Sequence, residues 1–131
     1  VGLMLGQAMF FQRIAEPQGH RDEFAIRRYV DESRRLLEVL NTRLEQQPYL
    51  AGDTYTIADM ATYPWARAYY WAKVSVDGLD HLQRWFGELD ARPAIQRALK
   101  IPKAFPQFFG EGDVAGGESE NAARFARDVK S

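Results

Sequence analysis

Residues able to do chemistry are few in this chain. It holds two histidines, His20 and His81, and no cysteine. Without cysteine there is no thiolate nucleophile, no disulfide and no cysteine zinc site. Neither histidine stands in a metal-ligand spacing such as H-x-x-E-H or H-E-x-x-H, so no metal is expected. His20 reads as a loop residue and His81 as an early-helix residue, both non-catalytic. There is no G-x-S-x-G elbow and no G-x-x-x-x-G-K-[ST] phosphate loop. The glycines from Gly110 to Gly117 stand among acids, which repel phosphate. Asp59 is the most suggestive acid, and a structural task accounts for it. The residues therefore predict a helical domain without its own reactive group, a supporting domain whose chemistry is supplied elsewhere.

That structural task lies in the stretch AGDTYTIADMATYPW, residues 51–65. Ala51-Gly52-Asp53 is a turn, and Thr56 is placed to cap the helix that follows. Asp59, three residues on, completes a capping box: hydroxyl and carboxylate each take a backbone amide of the first turn. Tyr55 and Met60 sit at the two positions of a hydrophobic staple. The helix beyond is apolar on several sides (Ile57, Ala58, Met60, Ala61, Tyr63, Trp65, Ala66), the pattern of a central, buried helix. A buried first turn must bring its own acceptors, since an unsatisfied buried donor costs about 1–3 kcal/mol. Pro64 inside this helix predicts a kink.

The other elements are helices too. Leu3 to Ile14 places Leu3, Met4, Gln7, Phe10, Phe11 and Ile14 on one face. Glu16-Pro17-Gln18-Gly19 is a turn cluster. The longest helix runs from about Asp22 to Gln46, with an apolar stripe of Tyr29, Val30, Ser33, Leu36, Leu37, Leu40 and Leu44; Pro48 ends it. Leu79 to Ala91 turns Leu82, Trp85, Phe86 and Leu89 inward. Pro93 to Lys100 starts on a proline suited to a first helical position, with Ile95, Ala98 and Leu99 inward. Tyr69 to Val74 has the composition of a strand but no partner. Beyond Pro102 the pattern weakens into a Gly- and acid-rich tail, Glu111 to Glu120, and a short helix over Asn121 to Val129. The fold class is all-α, a bundle of five or six helices.

The 131 residues suit one domain. A net charge of −1 argues against binding nucleic acid by phosphate neutralisation. No apolar run approaches the ~20 residues of a membrane span, and no signal pattern opens the chain. The absence of cysteine is compatible with the cytoplasm. Val1 enters an apolar segment with no cap before it, which reads as a chain cut in mid-helix from a longer one.

Together these segments point to a family. YLAGDTYTIADMATYPW (Tyr49 to Trp65) resembles the capping-box and staple module of glutathione transferases. ARPAIQRAL (Ala91 to Leu99) resembles the segment that closes their helical domain. MLGQ (Met4 to Gln7) and EFAIRRYVDESRRLLEVLNTRLEQQPYL (Glu23 to Leu50) are similar to the bacterial nu-class enzymes, relatives of the nitrogen-regulatory prion proteins. The resemblance covers residues 1–101 and leaves 102–131 as an extension.

It implies an N-terminal thioredoxin-like domain, absent from this chain, that grips glutathione and activates its thiol. It implies that this chain supplies half of a homodimer interface and part of the second-substrate pocket. Arg28, in the stretch Ala25-Ile26-Arg27-Arg28-Tyr29, matches the family's glutathione-binding arginine. Met4, Gln7, Phe10 and Phe11 match the pocket wall, with core packing the alternative for the aromatics. Members often carry histidines after the GQ pair; Ala8-Met9-Phe10-Phe11 stand here, which leaves the pocket's polarity open. The implied reaction is glutathione addition to a small electrophile, or glutathione-dependent disulfide reduction. The rival reading is a non-catalytic protein-interaction module. A third is a poorly folding fragment with Leu3, Met4, Phe10 and Phe11 exposed.

Overall fold

The computed structural model describes residues 1–99, and they form helices joined by turns. Helix α1 spans Gly2–Phe10, α2 Glu23–Gln46, α3 Ile57–Arg67, α4 Asp80–Asp90 and α5 Pro93–Ala98. A π-helical turn, Phe11–Ala15, and a 3-10 turn, Glu16–Gln18, continue α1 toward Gly19, whose φ of 84° reverses the chain. A second 3-10 turn, Ala68–Tyr70, follows α3. This is the expected all-α bundle. The tail and short helix expected over residues 102–131 lie outside the described residues.

Helix α2 is the spine. Asp22 caps it by accepting the Ala25 amide at 2.9 Å. Ala25, Ser33, Leu37 and Leu44 are its buried residues, and Tyr29, Val30 and Leu40 pack partly against the same core. It lies against α1 on one flank and α4 on another, while α3 touches both α1 and α4. The centre is Leu5, Leu37, Leu44, Leu82, Trp85 and Leu89, each at most 2% exposed. All four inward residues expected of α4 are buried.

Helices α2 and α4 hold each other's ends. Leu79, which precedes α4, gives its first turn no side-chain cap. The Leu82 amide instead donates to Asn41 Oδ1 on α2, at 3.0 Å. In return Arg84 on α4 donates to the Leu44 carbonyl in the last turn of α2, at 3.1 Å. Losing a helix cap costs about 1 kcal/mol, so Asn41→Ala is expected to lower the unfolding free energy by that amount. Urea denaturation of the two proteins measures it.

Three expectations are corrected. The buried side of α1 is Leu5 and Ala8, joined by Gln12 and Ala15 of the π-turn; of the residues expected to share a face, Leu3 and Phe10 are 69% and 43% exposed and Met4 and Gln7 are half-buried. Helix α1 approaches its neighbours closely: a Cβ on Gly2 would stand 2.9 Å from the Trp65 ring. Any side chain at Gly2 would force that ring to shift. Helix α3 is not buried all round. Asp59, Tyr63 and Ala66 face the core, whereas Ile57, Met60 and Trp65 are 81%, 52% and 47% exposed. Ile57 and Met60 lie away from the core, while the half-exposed Trp65 ring lies against Gly2 of α1. Ala98 of α5 is exposed rather than inward, because α5 buries nothing fully and only Ile95 reaches the core. Tyr69 to Val74 is a 3-10 turn and loop, anchored by buried Ala72 and Val74. No helix among the described residues is long and apolar enough to cross a membrane.

Candidate functional site

The α3 start behaves as its sequence requires. The capping box is present: Asp59 Oδ2 accepts the Thr56 amide at 3.0 Å, and the Thr56 hydroxyl accepts the Ala58 amide at 3.2 Å. Asp59 Oδ1 also accepts the Leu50 amide at 3.0 Å and the Trp85 indole at 2.9 Å. The carboxylate is fully buried. Burial pushes its pKa up, but the bonds from Leu50, Thr56 and Trp85 outweigh this and hold it below the usual carboxylate range. Such an acid is a permanent anion joining the loop before α3, the α3 N-terminus and α4. It has no proton to give near neutral pH. Sequence alone placed Thr56 opposite Asp59; the Leu50 and Trp85 partners come from tertiary packing. Tyr55 stands edge-on to Tyr49 and under the Arg92 guanidinium, 3.8 Å from its ring centre, while Met60 is largely exposed.

The other candidates lie along α1, at the start of the π-turn and in the first turns of α2. Met4 and Gln7 are half-buried on α1, Phe10 is exposed at its end, and Phe11 is half-buried. Phe10 meets Phe11 edge-to-face at 5.4 Å between ring centres, and Phe11 stacks on Tyr29 at 5.6 Å. Stacked and edge-on aromatics at these distances attract beyond their area burial. Tyr29 follows Arg28 directly. Arg28 is exposed and, among the described residues, has neither hydrogen-bond nor ion-pair partner; its charge reaches Glu32, whose carboxyl is lowered first by its bond from Arg35. Arg27 is also exposed, and Phe24, one turn before Arg28, is 78% exposed.

This part of the chain thus supplies an uncommitted guanidinium on α2 and an exposed aromatic edge at the end of α1. A guanidinium can grip a carboxylate with two parallel bonds, and the aromatic edge suits an apolar group. Tyr29, Phe24 and Gln12 are residues that sequence reasoning left outside the site. The spacing of Phe24 and Arg28, four apart on one helix face, was the available signal for the first. A groove of about 410 Å³ runs elsewhere along α2, lined by Arg35, Glu38, Val39, Thr42, Arg43 and Gln46, and includes none of these candidates. His20 is exposed and His81 half-buried. No group of His, Cys, Asp and Glu among the described residues is arranged to hold a metal.

Residues 4–93 match the family profile of the glutathione S-transferase C-terminal domain. The chain belongs to that family. This glutathione S-transferase C-terminal domain is 39% identical over 99 residues to the disulfide-bond oxidoreductase YfcG of Escherichia coli, covering 76% of the chain and 45% of YfcG. It is 44% identical over 82 residues to the disulfide-bond oxidoreductase YghU of the same organism, covering 57% of the chain and 28% of YghU. Among solved structures it resembles a glutathione transferase from Burkholderia graminis with two glutathione molecules bound per subunit. That match has a TM-score of 0.71 and 39% identity, and covers 79% of the chain and 45% of that protein. A glutathione transferase family member from Pseudomonas fluorescens, with two glutathione bound, matches at a TM-score of 0.70 and 38% identity, covering 77% and 46%. The chain spans less than half the length of each of these four proteins.

Proposed function

We propose that this domain is the helical part of an enzyme that uses glutathione to reduce disulfides or to conjugate small electrophiles. One observation carries the reading: Arg28, exposed and uncommitted, directly precedes Tyr29, on which Phe11 stacks, in a chain 39% identical to a transferase holding two glutathiones. In this reading Arg28 binds a glutathione carboxylate, and Met4, Gln7, Phe10 and Phe11 form the wall for the second substrate. The nucleophile is the glutathione thiolate, so the chain needs no cysteine of its own. In disulfide reduction one thiolate attacks the S–S bond, forms a mixed disulfide and releases the first thiol. A second glutathione thiolate attacks that mixed disulfide, giving glutathione disulfide and the second thiol. Residues 1–101 form the domain and 102–131 an extension. The working enzyme is a cytoplasmic homodimer with a thioredoxin-like domain that grips glutathione.

The test is glutathione-dependent reduction of bis(hydroxyethyl) disulfide by the protein purified from its native source, with its intact mass recorded alongside. Turnover, with a mass roughly twice that of this chain as the relatives' lengths suggest, is the expected result. A protein that binds no glutathione would sink the reading. A non-catalytic interaction module would then take its place, drawing on exposed Ile57 and Met60.

A further inference from the structure

Gln12 is a polar side chain in an apolar setting. It is 8% exposed and lies within the π-turn that begins at Phe11. Its side-chain amide donates to the Ala8 carbonyl at 3.1 Å and to the Ala72 carbonyl at 2.7 Å. Both partners are pure acceptors, so the nitrogen must face them and both of its protons are used. Ala8 belongs to the last turn of α1, where the Phe11 amide points to the Ala8 and Gln7 carbonyls. Ala72 is fully buried in the loop after the Ala68–Tyr70 turn. The next residue repeats the device: Arg13 Nε donates to the Trp71 carbonyl at 3.1 Å. Two successive side chains therefore clamp the π-turn onto two successive carbonyls of a loop some 60 positions away.

A π-turn takes in one more residue than an α-turn, and such turns occur mostly as single-turn insertions, frequently at functional sites. The extra residue rephases every side chain around it. Phe10 is the last residue of α1 and Phe11 the first of the π-turn. Held in this phase, Phe11 stacks on Tyr29 and Phe10 stays edge-on to Phe11 with its other side in solvent. The apolar contacts of either ring would be served by many backbone paths; the buried amide is what selects this one.

We propose that Gln12 is a positioning residue for the second substrate, holding the π-turn that sets Phe10 and Phe11 in the pocket wall. This rests on the reading of those two aromatics given above. Gln12→Met keeps the length and volume of the side chain and removes both donors. The test is steady-state kinetics of the native full-length protein with glutathione and chlorodinitrobenzene. In Gln12→Met the KM for chlorodinitrobenzene is expected to rise about 5–10-fold, with the KM for glutathione unchanged within about twofold. In a Phe10→Ala background the same change is expected to add less than it does alone, because part of the wall that Gln12 holds is already gone. A purely structural role would lower thermal stability and active fraction while leaving both KM values alone, and that result overturns the proposal. So does an equal rise in both KM values. If Gln12→Met does not fold, Gln12→Asn, whose shorter amide reaches one carbonyl, is read in the same way. Absence of any glutathione-dependent turnover in the unaltered protein would overturn the functional reading and this proposal together; turnover with an unmoved Gln12 variant overturns this proposal alone.

Discussion

Replacing Asp59 by alanine is expected to remove roughly 4 kcal/mol of unfolding free energy, a large share of the 5–15 kcal/mol typical of a domain. The substitution strips the acceptor from four donors at once: the amides of Leu50 and Thr56, the Thr56 hydroxyl and the indole of Trp85. Each buried donor left without a partner costs about 1–3 kcal/mol, and bonds to a charged group lie at the upper end. Asp59→Asn keeps the shape and one acceptor oxygen, but turns an NH₂ toward a donor; it is expected to fall between the two. Urea denaturation followed by far-ultraviolet circular dichroism ranks the three proteins.

The same carboxylate makes stability depend on pH in one direction. Its pKa is lower in the folded protein than in the unfolded chain. The stabilisation is therefore complete above the unfolded value, near 3.8, and is lost as pH falls through the lower folded value. The gap between the native protein and Asp59→Asn is expected to be constant near neutral pH and to shrink below about pH 4. A gap that widened in acid would contradict the assignment.

Arg28→Ala is expected to weaken glutathione binding by about 10–100-fold, the effect of one charge-assisted contact worth about 1.5–3 kcal/mol. Arg28 has no intramolecular partner among the described residues, so its removal leaves no buried group unpaired and stability is expected to change by less than about 0.5 kcal/mol. Arg28→Lys keeps the charge and loses the planar two-point grip, so it recovers only part of the affinity. Titration calorimetry with glutathione on the full-length protein, next to thermal melts, separates the two quantities. Affinity unchanged in Arg28→Ala would assign Arg28 to the solvated surface.

How far these features were visible in the sequence depends on how local their causes are. The capping box is a four-residue pattern, and Thr56 and Asp59 stand where it put them. The stripes of α2 and α4 are long and contrast sharply with charged residues, so Leu37, Leu44, Leu82, Trp85 and Leu89 were all readable as core. Helix α1 lacks that contrast. With apolar residues on most sides, its inward face is chosen by the fit of Gly2 and Ala8 against neighbours, a tertiary fact. The π-turn depends on Ala72, far along the chain, and no local pattern announces it. Exposure on α3 was misjudged for a related reason: apolar composition says that a face is suited to cover, and says nothing about what lies over it. Arg28 was legible only through the family resemblance, because one arginine among several on a helix carries no distinguishing spacing.

The reciprocal bonds between α2 and α4 carry a kinetic consequence. Asn41 and Leu82 are 41 positions apart, and Leu44 and Arg84 are 40 apart. Neither helix end acquires its partner until that long loop has closed, so local helix formation gains nothing from either bond. Both bonds then report one event on the folding pathway. Once the ion pair that Arg84 makes with Glu88 inside α4 is removed by Glu88→Ala in both backgrounds, perturbing Asn41 and perturbing Arg84 are expected to give matching φ-values, whichever side of the transition state the closure falls on.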